Sequence, residues 1–331
     1  MGGDSLQLFY NDILSLNWCS HCVEISRARM RGSKLRLLDH KLSLLEITDE
    51  EKIDEIILNL SRNVKKDLED IVVANVSMEN VLVMNIKVPP TLNRQNAVEY
   101  ATLEISRNLG ILPEQLVVAP LDIHGGEGLF FVSKVDQVKS FVTDLMKKEF
   151  PETDVVIPDI VKYLEVFEFY FGKRLKGTSV LTVISFLSDY YSIVVLENNH
   201  YRSLRLLFSM FWDYIDIVVE NTGVQPKELI EGTVNVDLDF LQPYFGDFLI
   251  ELDREVKVSL DEVNLSRVDQ FFYIVDPPIL SPVLSQTLEK FEGVALKQGI
   301  VPSFKPGVSL GTLGLMIRGG REIGKVKHLS V

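Results

Sequence analysis

Apolar and polar positions along the chain fall into short runs of two alternating periods. Ile13 to Ser26 alternates weakly and reads as a strand, and Arg31 to Ser33 is a polar turn before further strand. From Thr48 to Leu68 the period lengthens. Ile53, Ile56, Ile57, Leu60 and Val64 recur at helical spacing, with Thr48 as N-cap and Glu51 completing a capping box. Ile71 to Val76 and Val81 to Val88 alternate as strands, the second stopped by Pro89 and Pro90. Asn93 to Leu109 reads as a helix. Leu116 to Ile123 and Leu129 to Ser133 read as strands around the loop His124 to Gly128. Gln137 to Phe150 is a helix, Asp154 to Pro158 a strand, and Ile160 to Phe171 a helix rich in Tyr and Phe.

The polar break Lys173 to Ser179 marks a domain boundary. Beyond it, strands Val180 to Phe186 and Ser192 to Glu197 are joined by a turn at Leu187 to Tyr191, and Tyr201 to Phe208 is a third strand. Leu241 to Leu260 carries Leu241, Phe245, Phe248, Leu252 and Val256 at helical spacing, with Pro243 in the first turn. Gln270 to Asp276 is a strand halted by Pro277 and Pro278, and Gly311 to Gly320 is a short apolar helix. Each half opens with three strands and a helix. No short solenoid repeat is present, and the mixture points to α/β layers.

Composition narrows the picture. The 331 residues are 46% hydrophobic and 24% charged, enough for a substantial core and two or more domains. A net charge of −13 argues against a nucleic-acid binder, which needs a basic face. Two cysteines make no disulfide framework and favour a reducing compartment. The N-terminus has no basic segment leading into an apolar run, so no signal peptide is expected. The most apolar window, Ser179 to Glu197, is interrupted at Ser188 to Ser192 and falls short of the roughly 20 apolar residues that span a bilayer. A soluble, cytoplasmic chain is expected.

Motifs add little chemistry of their own. Cys19-Ser20-His21-Cys22 has the spacing of a redox pair, but strand-like residues flank it where a helix would be needed, and no second pair completes a zinc site. No metal is expected. The alternative of a thiol or metal protein rests on Cys19 and Cys22 alone. His124 to Gly128 lacks the lysine of a phosphate loop and reads as a hairpin. No nucleophile elbow, zinc-protease or kinase motif is present. Arg321 to Ser330 reads as a solvated basic tail.

Val73 to Pro89, then a helix and Leu109 to Ile123, then the strand, helix, strand and helix of Phe130 to Phe171, resemble the type IV pilus assembly PilM family in element order and apolar pattern over nearly the whole chain. Leu103 and Glu104 stand where that family has a Trp-Glu pair, and Leu109, Gly110 and Ile111 where it has an Ile-Pro-Phe turn. The resemblance implies a duplicated actin-like (ribonuclease H-like) α/β fold related to the cell-division protein FtsA. Two lobes of mixed sheet flanked by helices would enclose a cleft. The first lobe would comprise 1–91, 155–175 and 310–331; the inserted subdomain 92–154; and the second lobe 176–309, with a reduced subdomain at about 225–268.

The family binds ATP between two hairpins. By the resemblance, the first falls on Leu16 to Val23, with Asn17 in place of the acid, Cys19 of the glycine and His21 near the hydroxyl. The second falls on Ile184 to Ser192, with Ser185, Leu187 and Tyr191 in the corresponding places. The adenosine-side glycine turn becomes Asp276, Pro277 and Pro278. Side chains where phosphate needs bare backbone, and prolines where it needs amides, imply degenerate nucleotide loops, no cofactor and no enzymatic activity. An ATPase using Mg²⁺ and ATP is the alternative. The resemblance further implies a cytoplasmic adaptor of a type IV pilus or type II secretion-like machine. It would hold the cytoplasmic N-terminal peptide of an inner-membrane PilN-like protein, so that contact with the membrane is indirect; self-association is left open. The implied groove is lined by Val83, Met84, Ile86, Tyr100, Leu103 and Ile111.

Overall fold

The computed structural model describes residues 11–45, 50–62, 64, 66–67, 70–172, 175–288, 294–296, 307–324 and 326–330. The chain opens with β1 (Asn11–Trp18), β2 (Cys22–Arg31), β3 (Lys34–Leu44), α1 (Glu50–Ser61) and β4 (Ile71–Val76). Then come β5 (Leu82–Lys87), α2 (Arg94–Leu109), β6 (Leu116–His124), β7 (Glu127–Lys134) and α3 (Val135–Lys147). β8 (Val155–Pro158) and α4 (Asp159–Phe171) precede the second set, β9 (Thr178–Ser185), β10 (Tyr190–Glu197) and β11 (His200–Phe208). α5 (Trp212–Thr222), α6 (Pro226–Ile230), α7 (Gly246–Glu262), β12 (Gln270–Asp276), α8 (Ser281–Leu288), β13 (Val294–Leu296), α9 (Leu310–Ile323) and β14 (His328–Ser330) complete it.

Two sheets share one layout. The first runs β14-β3-β2-β1-β4-β8 and the second β11-β10-β9-β12-β13. In each, three strands form an antiparallel meander, and the meander's first strand pairs in parallel with the fourth: β1 with β4, β9 with β12. The central strands are covered on both faces. Every residue of β9 is buried, and β1 splits its side chains, sending Leu14 and Leu16 outward and Ile13 inward. That double burial explains why β1 alternates only weakly in sequence.

Between the sheets lie α4, which follows the last parallel strand of lobe one, and α9, which follows β13 of lobe two. They cross at very close range. A Cβ at Gly314 would fall on the Lys162 carbonyl oxygen, and one at Gly319 would fall on Ile13. Their apolar faces join both sheets in one core containing Ile13, Val73, Phe167, Val183, Phe272 and Leu313. Outer helices cover the far faces, α1 and α3 on lobe one and α5, α7 and α8 on lobe two.

The inserted unit is a three-stranded sheet, β5-β7-β6, with α2 on one face. Gly125 and Gly126, at φ 61° and 85°, make its tight hairpin turn. Asn93 caps α2 at its start and Gly110, at φ 66°, at its end. β5 pairs with β7, so the unit takes in a strand that lies before residue 92, where the resemblance placed the lobe boundary.

Four other expectations are corrected. The single strand that period alone gives over Ile13–Ser26 is the β1–β2 hairpin, at the Leu16–Val23 position the resemblance implies; its turn has no glycine or proline to announce it. The helix read over Thr48–Leu68 ends at Ser61, and Thr48 lies outside the described residues. The helix read from Leu241 begins as a 3-10 segment, Asp239–Phe245, because Pro243 withholds an amide, and becomes α-helical at Gly246. His328–Ser330 joins the first sheet beside β3 instead of hanging in solvent. The short helices α5, α6 and α8 went unread because aromatic, β-branched and polar residues mask their period.

Gly314→Ala should lower stability by about 3 kcal/mol, since the methyl group can enter only by separating α4 from α9; urea denaturation of the full chain reads this.

Candidate functional site

The turns after β1 and β9 meet where the lobes face each other. The His21 amide donates to the Leu187 carbonyl at 3.1 Å, a backbone bond from one hairpin tip to the other. The His21 imidazole pairs with Asp189 and stacks on Trp212, with centroids 4.2 Å apart and planes at 11°. Asp189 also accepts from the Trp212 amide at 2.9 Å. Cys19, Cys22, Leu42, Leu187 and Ile230 pack as a small apolar cluster between the tips. The two hairpin tips therefore touch each other.

Behind the tips lies a polar network. Lys162, on α4, is fully buried. Its ammonium donates to Asp159 Oδ1 at 2.5 Å and Asn17 Oδ1 at 2.8 Å, and lies 3.4 Å from Cys19 Sγ. Burial pulls its pKa down, but Asp159 and the surrounding acceptors outweigh that and hold it above the ordinary lysine value, so it remains charged. Asp159 is also satisfied by the Tyr190 hydroxyl at 2.8 Å and by Asn75 Nδ2. Asn75 itself bonds both backbone groups of Trp18, carrying β1–β4 pairing one step past the end of the strands.

A second branch holds the start of α9. Asn17 Nδ2 donates to Ser309 Oγ at 3.1 Å, and Ser309, the N-cap, donates to Glu24 Oε2 at 2.9 Å while accepting from the Thr312 amide at 3.0 Å. Glu24 is fully buried. Burial would raise its pKa, but His40 and the Thr312 and Ser309 hydroxyls bring it below the usual carboxylate value. From lobe two, Asp276 accepts the Leu310 and Gly311 amides at 3.2 and 3.1 Å and the Tyr163 hydroxyl at 2.9 Å. Burial and the Glu24 charge push Asp276 up to about 6.

The residues singled out in sequence are therefore distributed unevenly. Asn17, Cys19 and His21 converge on the lobe contact with Leu187, and Ser185 stands just behind, its hydroxyl 3.0 Å from that of Tyr163. Tyr191 does not join them. One residue along a strand reverses direction, so its ring enters the lobe-two core and its hydroxyl donates to Glu251, while Tyr190 faces the cleft. Asp276 faces the first turn of α9, beside the buried Pro277 and Pro278. Lys162, Asp159, Glu24 and Asn75 were missed. The one available signal was Asp159 and Lys162 at helical i, i+3 spacing inside an otherwise apolar helix.

The six groove positions do not share one surface. Met84, Ile86 and Ile111 belong to the core between the three-stranded sheet and α2, and Val83 points to the opposite face. Tyr100 is half-buried on α2, and Leu103 is 55% exposed. None of the six lines the cavity of about 490 Å³ that opens between lobe one, the inserted unit and the lobe-two hairpin. Trp18, Met78, Phe141 and Phe208 form much of its wall, and Cys19 and Tyr190 reach it from the lobe contact. Among the described residues, no three of His, Cys, Asp and Glu converge as metal ligands, and no helix is long and apolar enough to cross a membrane.

No family model and no curated protein matches the chain in sequence. Its fold does have matches. A structure of a PilM-PilN type IV pilus biogenesis complex superposes with a TM-score of 0.67 at 14% identity, over 93% of this chain and 98% of that one. A Bacteroides thetaiotaomicron protein with an actin-like ATPase fold and unknown function gives 0.50 at 9% identity, over 92% and 95%. The fold is actin-like.

Lys162→Met should destabilise the chain by about 3–5 kcal/mol in urea denaturation, because it leaves Asp159 charged and buried; adding Asp159→Asn should recover part of that loss. Asp276 gives a pH signature. The folded chain holds a proton on it between the ordinary carboxyl value of 3.8 and about 6, so this group's contribution to stability falls as pH rises through that window. Relative to the parent, Asp276→Asn should gain on the order of 2 kcal/mol between pH 4 and 6.5, whatever fixed cost the substitution carries. Urea denaturation at a series of pH values reads the difference.

Proposed function

We propose that this chain is a non-enzymatic, PilM-like adaptor of a type IV pilus or type II secretion-like machine. It works on the cytoplasmic side of the inner membrane, reached through a partner. The observation that carries this reading is the occupied cleft. Where an actin-like ATPase holds phosphate between its hairpins, this chain puts a His21–Leu187 backbone bond, an apolar cluster and the Lys162 ammonium. Nucleotide would have to break that bond, displace the packed Leu187 side chain and dismantle a buried hydrogen-bond network, with no glycine in either hairpin turn to offer a bare amide in return.

A cavity beside the inserted unit is open to solvent. Its wall combines aromatic rings with neutral polar groups such as Asn75, Ser77 and Gln137. That suits an extended peptide, which needs apolar anchors and main-chain partners but no catalytic group. The structural likeness to a PilM-PilN complex supports a PilN-like inner-membrane protein as the source of that peptide. The cavity replaces the Val83–Ile111 set as the proposed seat, since its wall is contiguous and reachable from solvent.

Calorimetry on the full chain tests both halves. Mg-ATP should give no saturable heat at about 1 mM, and a synthetic peptide from the cytoplasmic N-terminus of the PilN-like protein encoded nearby should bind with a Kd of the order of 1–10 μM. Phe141→Ala or Phe208→Ala should weaken the peptide about tenfold. Saturable ATP binding would favour a working ATPase, and a silent peptide would remove the adaptor reading.

A further inference from the structure

The two cysteines sit where neither nucleotide nor peptide chemistry requires a thiol. Register along the β1–β2 hairpin sets Trp18 opposite Val23, which places Cys19 opposite Cys22 across the turn, and the Cys19 amide donates to the Cys22 carbonyl at 2.9 Å. Directly opposed residues send their side chains to the same face, with Cα atoms about 5.5 Å apart for a hydrogen-bonded pair, inside the range of about 4.4–6.8 Å that a disulfide bridges. Both side chains belong to the same small apolar cluster. Both are free and buried.

The pair is asymmetric. Cys19, 3% exposed, is one of the residues lining the cavity, the side from which a small oxidant would approach. The Lys162 ammonium stands 3.4 Å from its sulfur, and its S–H is directed at Asn17 Oδ1, also at 3.4 Å. A cation beside a thiol at the end of an opening is the setting of a reactive cysteine. Cys22 lies behind it, fully buried. Burial and the neighbouring Cys19 thiol raise its pKa, so it waits as a protonated thiol. Packing against Leu42, Leu187 and Ile230 would ask only for small apolar side chains, not for a sulfur beside a lysine and a second sulfur within reach.

We propose that Cys19 and Cys22 form a reversible disulfide that staples the turn joining the two lobes, with a hydroperoxide as oxidant and Cys19 as the attacking thiol. The Cys19 sulfur attacks one peroxide oxygen, the O–O bond breaks, and Cys19 becomes a sulfenic acid as water leaves (for hydrogen peroxide). The Cys22 sulfur then attacks the Cys19 sulfur, the S–O bond breaks, and a second water leaves. Two thiols lose two electrons and two protons in all, and the peroxide is reduced to two waters. His21 lies inside the stapled turn, so the ring closure fixes the residue that makes both the backbone and the imidazole contact to lobe two. It also removes the S–H that Asn17 accepts and alters the Cys19 side of the cavity wall. The chemistry belongs to the chain alone and stands apart from the adaptor reading.

The test uses the folded full chain, treated with hydrogen peroxide, then denatured, alkylated with N-ethylmaleimide and weighed intact. The expected product is one monomeric species about 2 Da lighter than the reduced chain, with no alkylated thiol, restored by dithiothreitol. Hydrogen exchange of the His21 amide should slow at least about tenfold in the oxidised form. Cys22→Ser should instead trap a dimedone-reactive sulfenic acid on Cys19, and Cys19→Ser should take up no oxygen. Two alkylated thiols after exposure, a covalent dimer, a gain of about 14 Da marking an N–O–S bridge to Lys162, or unchanged exchange at His21 would each overturn the proposal.

Discussion

The fully buried ammonium of Lys162 is the constraint around which the two lobes are organised. A charge there survives only with partners of opposite sign and full hydrogen bonding. Each partner comes from a different part of the chain: Asp159 from its own helix, Asn17 from the first hairpin, and through Asp159 the hydroxyl of Tyr190 from lobe two. Satisfying one lysine therefore fixes a helix, a hairpin and the neighbouring lobe relative to one another. Its main chain matters as well, because Gly314 packs directly against the Lys162 carbonyl and lets α9 lie close on α4.

From that arrangement follows the character of the cleft. The actin-like fold brings two hairpin tips and two helix starts together. Here the donors and acceptors gathered there bind one another. Ser309 and Asp276 take up amides at the start of α9, Asn17 and Asp159 take up the ammonium, and the tips share a backbone bond. A cleft so occupied is suited to holding its lobes in one relative position. One accessible cavity lies to one side, against the inserted unit, where aromatic side chains line the wall.

Much of the fold was legible beforehand. Apolar runs bounded by polar turns marked the strands of the second meander, and Asn93 and Gly110 framed α2. The repetition of three strands and a helix pointed to duplication. The failures share a cause. The β1–β2 turn carries a side chain at every position, so local chemistry does not announce it. β5 reads as lobe strand because partner choice depends on β7, more than 40 residues later. Tyr191 was set at the phosphate turn because family position was followed across a strand in which a shift of one residue changes the face.

The candidate site divides along the same line. Sequence by itself determined that the two hairpin tips and the end of β12 hold Asn17, Cys19, Leu187 and the Asp276-Pro277-Pro278 run, because residue types and their spacing are local properties. Tertiary structure alone decided which groups meet between the lobes. Lys162 is 145 residues from Asn17, and Asp276 is 35 from Gly311. No periodicity carries contacts of that range, since they arise only when two sheets close on a pair of helices and buried polar groups must find partners there.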